Sequence, residues 1–278
     1  MRILLIGDIV GKPGRKIVKQ SVRGLVIRER LDLVVANAEN AASGSGLTPA
    51  NYDEIVNAGV NAVTMGDHIY RRRAIYNVLE SKNNIVKPAN YPEEAPGHDY
   101  VIVNSQLSVP VAVISLMGRV FMKPVDCPFD AVDRVLSKLD RTVKVIVVDF
   151  HAEATSDMQL MGRHLDNRVS AVLGTHTHVP TADESILPGG TAFQCDVGMT
   201  GPHDSILGRR IDRVMETTRT FRPTPFDVAT GDVRLNGTIV DIDQETGRAT
   251  GIRRLRVTAD EAENLANLQQ AGGSKPAN

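Results

Sequence analysis

Short apolar, β-branched runs recur along roughly the first 180 residues, separated by stretches whose apolar positions return every three or four residues. That alternation predicts strand, crossover helix and parallel strand, because side chains repeat every two residues on a strand and every 3.6 on a helix. The runs that read best as strands are Ile3–Ile6, Leu33–Ala36, Ala62–Met65, Val111–Leu116, Val145–Val148 and Ala171–Leu173. Between the first two, Ile17, Val18, Val22, Leu25 and Val26 share one face of a predicted helix. Phe129, Val132, Val135, Leu136 and Leu139 repeat the pattern later. Thr48 offers a cap, Pro49 suits a first helical turn and Gly59 follows Ile55-Val56, which brackets a helix over about 49–58.

After residue 180 the texture changes. Gly and Pro punctuate short alternating runs, among them Phe226–Val228, Thr238–Ile242 and Ile252–Val257, which predict antiparallel strands completing a second sheet. No Ser/Gly linker divides the chain, so residues 1–258 are expected to form one domain. Residues 259–278 read as a C-terminal extension, partly disordered, because its end, Ala271–Asn278, lacks core material.

Composition narrows the function. A chain of 278 residues that is 42% hydrophobic can bury a sizeable core. Lys and Arg number 32 against 33 Asp and Glu, which argues against a broad nucleic-acid footprint and against attraction to anionic lipid. No apolar run reaches the ~20 residues that a membrane helix needs, and Ile3–Ile6 is too short for a signal-peptide core. Cys127 and Cys195 lack metal-type spacing, as a reducing compartment would give. A soluble, cytoplasmic protein is expected.

The chemistry lies where the strands end, which in parallel α/β sheets is where ligands bind. The first strand delivers Gly7-Asp8, the second Asn37-Ala38-Glu39-Asn40 and the third Gly66-Asp67-His68. Later strands deliver Phe150-His151 and Thr175-His176-Thr177-His178. Each residue alone has a plain structural reading: Asp as a helix cap, Asn in a turn, His in a packed loop. Alternate histidines in an extended segment favour chelation, and the joint occurrence at successive strand ends favours a metal site. Carboxylates, an amide and imidazoles without thiolate suit Mn, Fe or Zn better than Ca or Cu. Seven ligands are too many for one catalytic ion and suit two ions sharing a carboxylate, roughly 3.5–4 Å apart, the arrangement that hydrolyses phosphate esters.

Gly66-Asp67-His68, His151 and Gly174-Thr175-His176-Thr177-His178 resemble the later blocks of the calcineurin-like metallophosphoesterase superfamily. The early blocks differ: no His follows Asp8 by two residues, and Glu39-Asn40 stands where a bridging Asp is usual. That variation is similar to the bacterial YmdB-like branch, through Gly7-Asp8-Ile9-Val10-Gly11, Asn37-Ala38-Glu39-Asn40, Val148–Glu153 and Gly174–Asp183. The resemblance implies an α-β-β-α sandwich of two mixed sheets flanked by helices, and a phosphodiesterase acting on 2′,3′-cyclic nucleotides, commonly as a homo-oligomer. It implies two divalent or trivalent ions, Fe or Mn foremost and Zn or Mg behind. Asp8, Glu39, Asn40 and His178 would hold one ion and Glu39, Asp67, His151 and His176 the other. Asp67 departs from the Asn usual in the family, and its extra charge is expected to tighten a hard ion and slow turnover.

His68 is expected beside the ions as the proton donor to the leaving ribose oxygen, while water activated between the ions attacks phosphorus in line. The bland alternative for His68 is a residue that only orients a ligand. Arg119, Arg71-Arg72-Arg73 and His203 also lie near these motifs, and surface or structural roles suit them better. Competing readings are a phosphomonoesterase, a metal-dependent amidase, and an RNA-associated or signalling regulator with a structural metal site.

Overall fold

The computed structural model describes residues 1–272. In chain order its first elements are β1 (Arg2–Ile6), α1 (Gly11–Glu29), β2 (Leu33–Asn37), α2 (Pro49–Asn57), β3 (Ala62–Thr64), α3 (Tyr76–Ser81) and β4 (Ile85–Val86). There follow β5 (Tyr100–Asn104), β6 (Pro110–Met117), α4 (Pro128–Lys138), β7 (Val145–His151), α5 (Thr155–Leu165) and β8 (Ala171–Thr175). The chain then forms β9 (Ser185–Ile186), β10 (Ala192–Gln194), β11 (Gly201–Asp204), α6 (Ile211–Thr220), β12 (Gly231–Ile242), β13 (Ala249–Thr258) and α7 (Ala259–Gly272).

Two mixed sheets result. The seven-stranded sheet runs β11-β12-β1-β2-β3-β4, with β13 also paired to β12. In it β1 to β4 are parallel, and β12 lies antiparallel to β1, β11 and β13. The six-stranded sheet runs β5-β6-β7-β8-β10-β9, parallel from β6 to β10 with antiparallel β5 and β9 at its edges.

Alternation along each strand builds the layers. Leu4 and Ile6 of β1 face a core shared with α1, α2, α3 and α7, whereas Ile3 and Leu5 face Val111, Val113, Val145 and Val147 of the other sheet. The same alternation runs along β7, where Ile146, Val148 and Phe150 turn outward to Ala131, Val132 and Val135 of α4 and Met158 and Met161 of α5. The order is therefore helices, sheet, sheet, helices, and the predicted faces of α1 and α4 are the ones buried.

One expectation changes. The late strands do not complete the second sheet: β12 and β13, which contain Thr238–Ile242 and Ile252–Val257, extend the first through pairing with β1. Alternation marks a strand and leaves its partner open, and β12 finds an open edge of β1. Phe226–Val228 is no strand, forming only a bridge between Val228 and Arg209. The second sheet is instead built from β5 to β10.

Residues 259–272 form α7, whose Ala262 and Leu265 are buried in the core with α1. The predicted tail over 271–278 lies outside the described residues beyond Gly272. By contrast α6 buries no residue, and Ile211 and Met215 on it, with Phe221 and Phe226 after it, are exposed. Among the described residues, no helix is long and apolar enough to cross a membrane.

Candidate metal centre

The parallel strands of both sheets end at the same rim, and the residues that follow β1, β2, β3, β7 and β8 meet there. Asp8, Glu39, Asn40 and His151 are buried; Asp67, His68, His176 and His178 are partly exposed towards the rim. Glu39, Asp67, His151 and His176 each bring one ligand atom to within 4.8 Å of the others. His151 Nε2 lies 3.3 Å from Glu39 Oε1, 3.5 Å from Asp67 Oδ1 and 3.0 Å from His176 Nδ1.

Asp8 and His178 adjoin this group, with His178 Nε2 3.8 Å from Asp8 Oδ1. Asn40 stands between the halves: its Nδ2 is 3.2 Å from Glu39 Oε1, 3.4 Å from Asp8 Oδ1 and 3.3 Å from His178 Nε2. Its Oδ1 faces His68 Nδ1 at 2.8 Å. A ligating amide needs its oxygen where Nδ2 stands, and half a turn about χ2 exchanges the two atoms.

The backbone is shaped to let these groups approach. A Cβ on Gly66 would come within 2.3 Å of both Glu39 Oε2 and the His151 ring, so only glycine fits between the ligands. The His-Thr-His segment is not extended as predicted. β8 stops at Thr175, and His176 and His178 have φ of 105° and 66°, a region costly for non-glycine residues. Asp196 enforces this curl by accepting from Thr177 N at 2.8 Å and Thr177 Oγ1 at 2.9 Å. Burial and the nearby Asp8 push the Asp196 carboxyl up to about 8.

Beneath the ligands lies a buried polar network that joins the two sheets. Asp149 Oδ1 accepts from Thr175 Oγ1 at 2.6 Å, and its Oδ2 accepts from Asn37 Nδ2 at 3.0 Å and from Thr64 Oγ1. Since the Thr175 hydroxyl spends its proton on Asp149, it accepts from His151 Nδ1, 2.8 Å away. The His151 proton therefore sits on Nδ1, and the Nε2 lone pair points at two carboxylates and a second imidazole.

Such an arrangement needs a cation. Asp67 Oδ1 is buried without a hydrogen-bond partner although it lies among these acceptors. Without an ion a proton is the substitute: burial disfavours imidazolium, yet Glu39 and Asp67 raise the His151 pKa well above its ordinary value. Burial likewise works against the Glu39 charge, and His151 and His68 hold its pKa well below the carboxylate range. An unpaired buried oxygen, a fixed lone pair and a hard N/O donor set all fit a metal ion.

The profile of the YmdB-like protein family matches residues 4–255. The chain belongs to the YmdB-like family. It is 43% identical, over 94% of its length and 98% of the relative's, to the 2′,3′-cyclic-nucleotide 2′-phosphodiesterase of Bacillus subtilis. A solved hypothetical protein of Thermus thermophilus superposes with a TM-score of 0.86 at 41% identity, covering 93% of this chain and 99% of that one. A solved protein of Mycoplasma pneumoniae, described as a novel phosphatase, gives 0.87 at 30% identity and 93% coverage of both chains.

In this YmdB-like chain the structure also brings to the site residues to which the sequence reading gave no role. His176 Nε2 lies 3.3 Å from Glu153 Oε2, so Glu153 can hold the ring proton there and leave Nδ1 facing Asp67 and His151. Glu153 stands two residues beyond His151, a spacing that signals it only once the fold of the segment is known. Lys123, from the loop between β6 and α4, reaches Asp67. The residues set aside stay outside the cluster. Arg119 is exposed, His203 bonds Gly201 O and Asn236, and Arg71 to Arg73 lie on a solvated face, with Arg72 donating into the loop after Asn40.

Proposed function

We propose that this chain is a two-metal phosphodiesterase that opens 2′,3′-cyclic nucleotides at the 2′ oxygen. Hydrolysis of phosphoric esters follows from the family, whose Bacillus relative carries that activity in its name. The observation that carries the metal reading is the partnerless Asp67 Oδ1 facing the lone pair of His151, and Asp8 and His178 beside the shared Glu39 and Asn40 offer donors for a second ion. Glu39, Asp67, His151 and His176 would hold one ion, and Asp8, Glu39, Asn40 and His178 the other. The donor set suits Fe or Mn first. When bound, the ions supply positive charge for the phosphoryl oxygens and acidify water towards neutral pH.

The chain's own residues do the rest. His68 sits at the rim with its Nδ1 on Asn40 and its Nε2 3.7 Å from Asp67 Oδ2. As the acid His68 is the imidazolium, its Nδ1–H held by Glu39 Oε1, 3.2 Å away, and its Nε2–H turned to the rim. Nε2–H then protonates the departing 2′ oxygen as the new bond from water to phosphorus forms and the P–O2′ bond breaks.

A cytoplasmic location suits Cys127 and Cys195, both free thiols. A homo-oligomer suits α6, an amphipathic helix with Ile211 and Met215 exposed and none of its residues buried. Sedimentation equilibrium that returns a monomer at micromolar concentration removes that part of the reading.

The test is hydrolysis of 2′,3′-cyclic AMP by Mn-loaded protein beside a chelated sample and an Asp8→Ala variant. Turnover that needs metal and is lost in the variant is expected. A fully loaded protein that leaves this substrate intact overturns the diesterase. A monoesterase is the second reading, since the Mycoplasma relative is described as a phosphatase; p-nitrophenyl phosphate in a parallel assay discriminates the two.

A further inference from the structure

Glu39 and Asn40 lie at the start of the irregular loop between β2 and α2, which is pinned there by Ala38 N–H to Thr64 O of β3 and by Gly11 N–H of α1 to Asn40 O, both at 3.0 Å; over residues 41–47 no strand or helix backbone among the described residues bonds to it. Arginines from elsewhere grip its carbonyls instead. Arg15 of α1 donates to Ala41 O, and Arg72 donates to Ala42 O and Ser45 O, each at 3.2 Å. Arg209 takes the tip, donating to Ser43 O at 3.1 Å and to Gly44 O. Gly44 has φ +82°, and a Cβ there would stand 2.4 Å from the Arg209 guanidinium, so this approach requires glycine.

Arg209 differs from the other two in what its own segment touches. It closes a tight turn in which the N–H of Ile206 and of Arg209 each donate to the other's carbonyl at 2.9 Å. Leu207 and Gly208 at its centre have φ of 50° and 88°, the left-handed pair of a hairpin turn. The Leu207 carbonyl faces His178 Nδ1 at 3.1 Å. A carbonyl only accepts, so His178 carries its proton on Nδ1 and turns the Nε2 lone pair towards Asp8 and Asn40. The guanidinium also donates to Phe226 O at 2.8 Å, which fixes the turn from its other side.

We propose that Arg209 is a positioning residue that couples His178 to the Glu39-Asn40 loop, so that the Asp8, Glu39, Asn40 and His178 half of the centre is assembled as a unit. The inference rests on the two-ion reading above. Arg209 acts through the backbone of Gly44 and Leu207, each within a few residues of a ligand or bonded to one. The other half does not depend on it to the same degree, because His151 is fixed by Thr175 and Asp149 and His176 by Glu153. Removing the guanidinium leaves the carbonyls of Ser43, Gly44 and Phe226 without their donor and frees the turn from the loop.

The experiment is Mn titration of wild type, Arg209→Ala and Arg209→Lys, read as ions per chain by elemental analysis, with thermal unfolding on the same samples. Wild type is expected to hold two ions. Arg209→Ala should bind the Asp8-side ion about ten- to a hundredfold more weakly and weaken the other by clearly less, since Glu39 alone is shared between them. Arg209→Lys, which cannot bridge the three carbonyls, should fall between. Wild-type affinity for both ions in the variants overturns the positioning role even if they melt earlier, and so does equal weakening of both ions. If the alanine variant does not fold, the lysine isotherm decides by the same criteria. Fewer than two ions on the wild-type chain overturns the two-ion reading itself, and this inference with it.

Discussion

Lys123 Nζ lies 3.6 Å from Asp67 Oδ2 and donates to the Asp67 carbonyl at 3.2 Å, while Oδ1 of the same carboxylate faces His151 Nε2. One oxygen thus serves the proposed ion and the other meets an exposed cation. The charge of Asp67 is offset by a lysine at the mouth of the site. An exposed pair of this kind contributes up to about 1 kcal/mol. Lys123→Ala should therefore raise KM for an anionic phosphoester by about two- to fivefold at low salt and less at high salt, with metal content unchanged. Asp67→Asn should weaken the ion and raise kcat. In the double variant the two effects should not add, because the residues are in contact. Additive changes in kcat/KM across that cycle would remove the pairing from the account.

His68 touches Asn40 and Glu39 through Nδ1 and leaves Nε2 at the rim. General acids contribute about 10²- to 10⁴-fold. His68→Ala should lower kcat for a cyclic nucleotide within that range while both ions remain, as elemental analysis would record. The loss should shrink for a substrate whose leaving group needs no proton, such as a p-nitrophenyl diester. A variant that loses metal places His68 among the structural supports and not at the leaving oxygen.

Much of the candidate site could be read from the chain because its polar residues directly follow β-branched strands, and such strands are recognisable by local pattern alone. Asp8, Asp67 and His151 each end an apolar run, so the fold need only be parallel for them to converge. Asp149, Thr175 and Asp196 were illegible as functional parts for the opposite reason. Asn37 lies 112 positions from Asp149 and Thr175 lies 26 from it, so the network exists only once β2 of one sheet packs against β7 and β8 of the other. Sheet membership of β12 was hidden in the same way, since alternation says which face is buried but not which edge is open. Lys123 carries no periodic signal in its loop, and the curl of His176-Thr177-His178 depends on Asp196 from a later segment. Local pattern marked the candidate ligands; the residues that hold them in place are set by long-range contact.

Thr175 is the link between a buried carboxylate and a ligand. Thr175→Val keeps the shape of the side chain but deprives His151 Nδ1 of its acceptor and Asp149 of a donor, all three being buried. Leaving buried groups unpaired costs about 1–3 kcal/mol each. The variant should unfold at lower denaturant and bind metal about tenfold or more weakly, since His151 can then place its proton on Nε2. Thr175→Ser retains the hydroxyl and should restore both properties. Full metal affinity in the valine variant would mean that the relay does not set the His151 tautomer.

Removal of metal offers the last prediction, and its sign follows from burial. Asp8 and Glu39 are fully buried and Asp67 is largely so, which sets three carboxylates together with the imidazoles at the seam of the two sheets. An ion that binds this arrangement and not the unfolded chain stabilises by about 2.7 kcal/mol when present at a hundred times its Kd. For a chain of this size about 1 kcal/mol moves Tm by roughly 2–4 °C, so chelation should lower Tm by about 5–10 °C. Scanning calorimetry of Mn-loaded and EDTA-treated protein measures it. The difference should persist in His68→Ala, which spares the ligands, and should fall in Asp8→Ala, which removes one. A melting temperature indifferent to chelator would mean that the cluster holds no ion at these concentrations, and that Glu39 and His151 are paired by a proton instead.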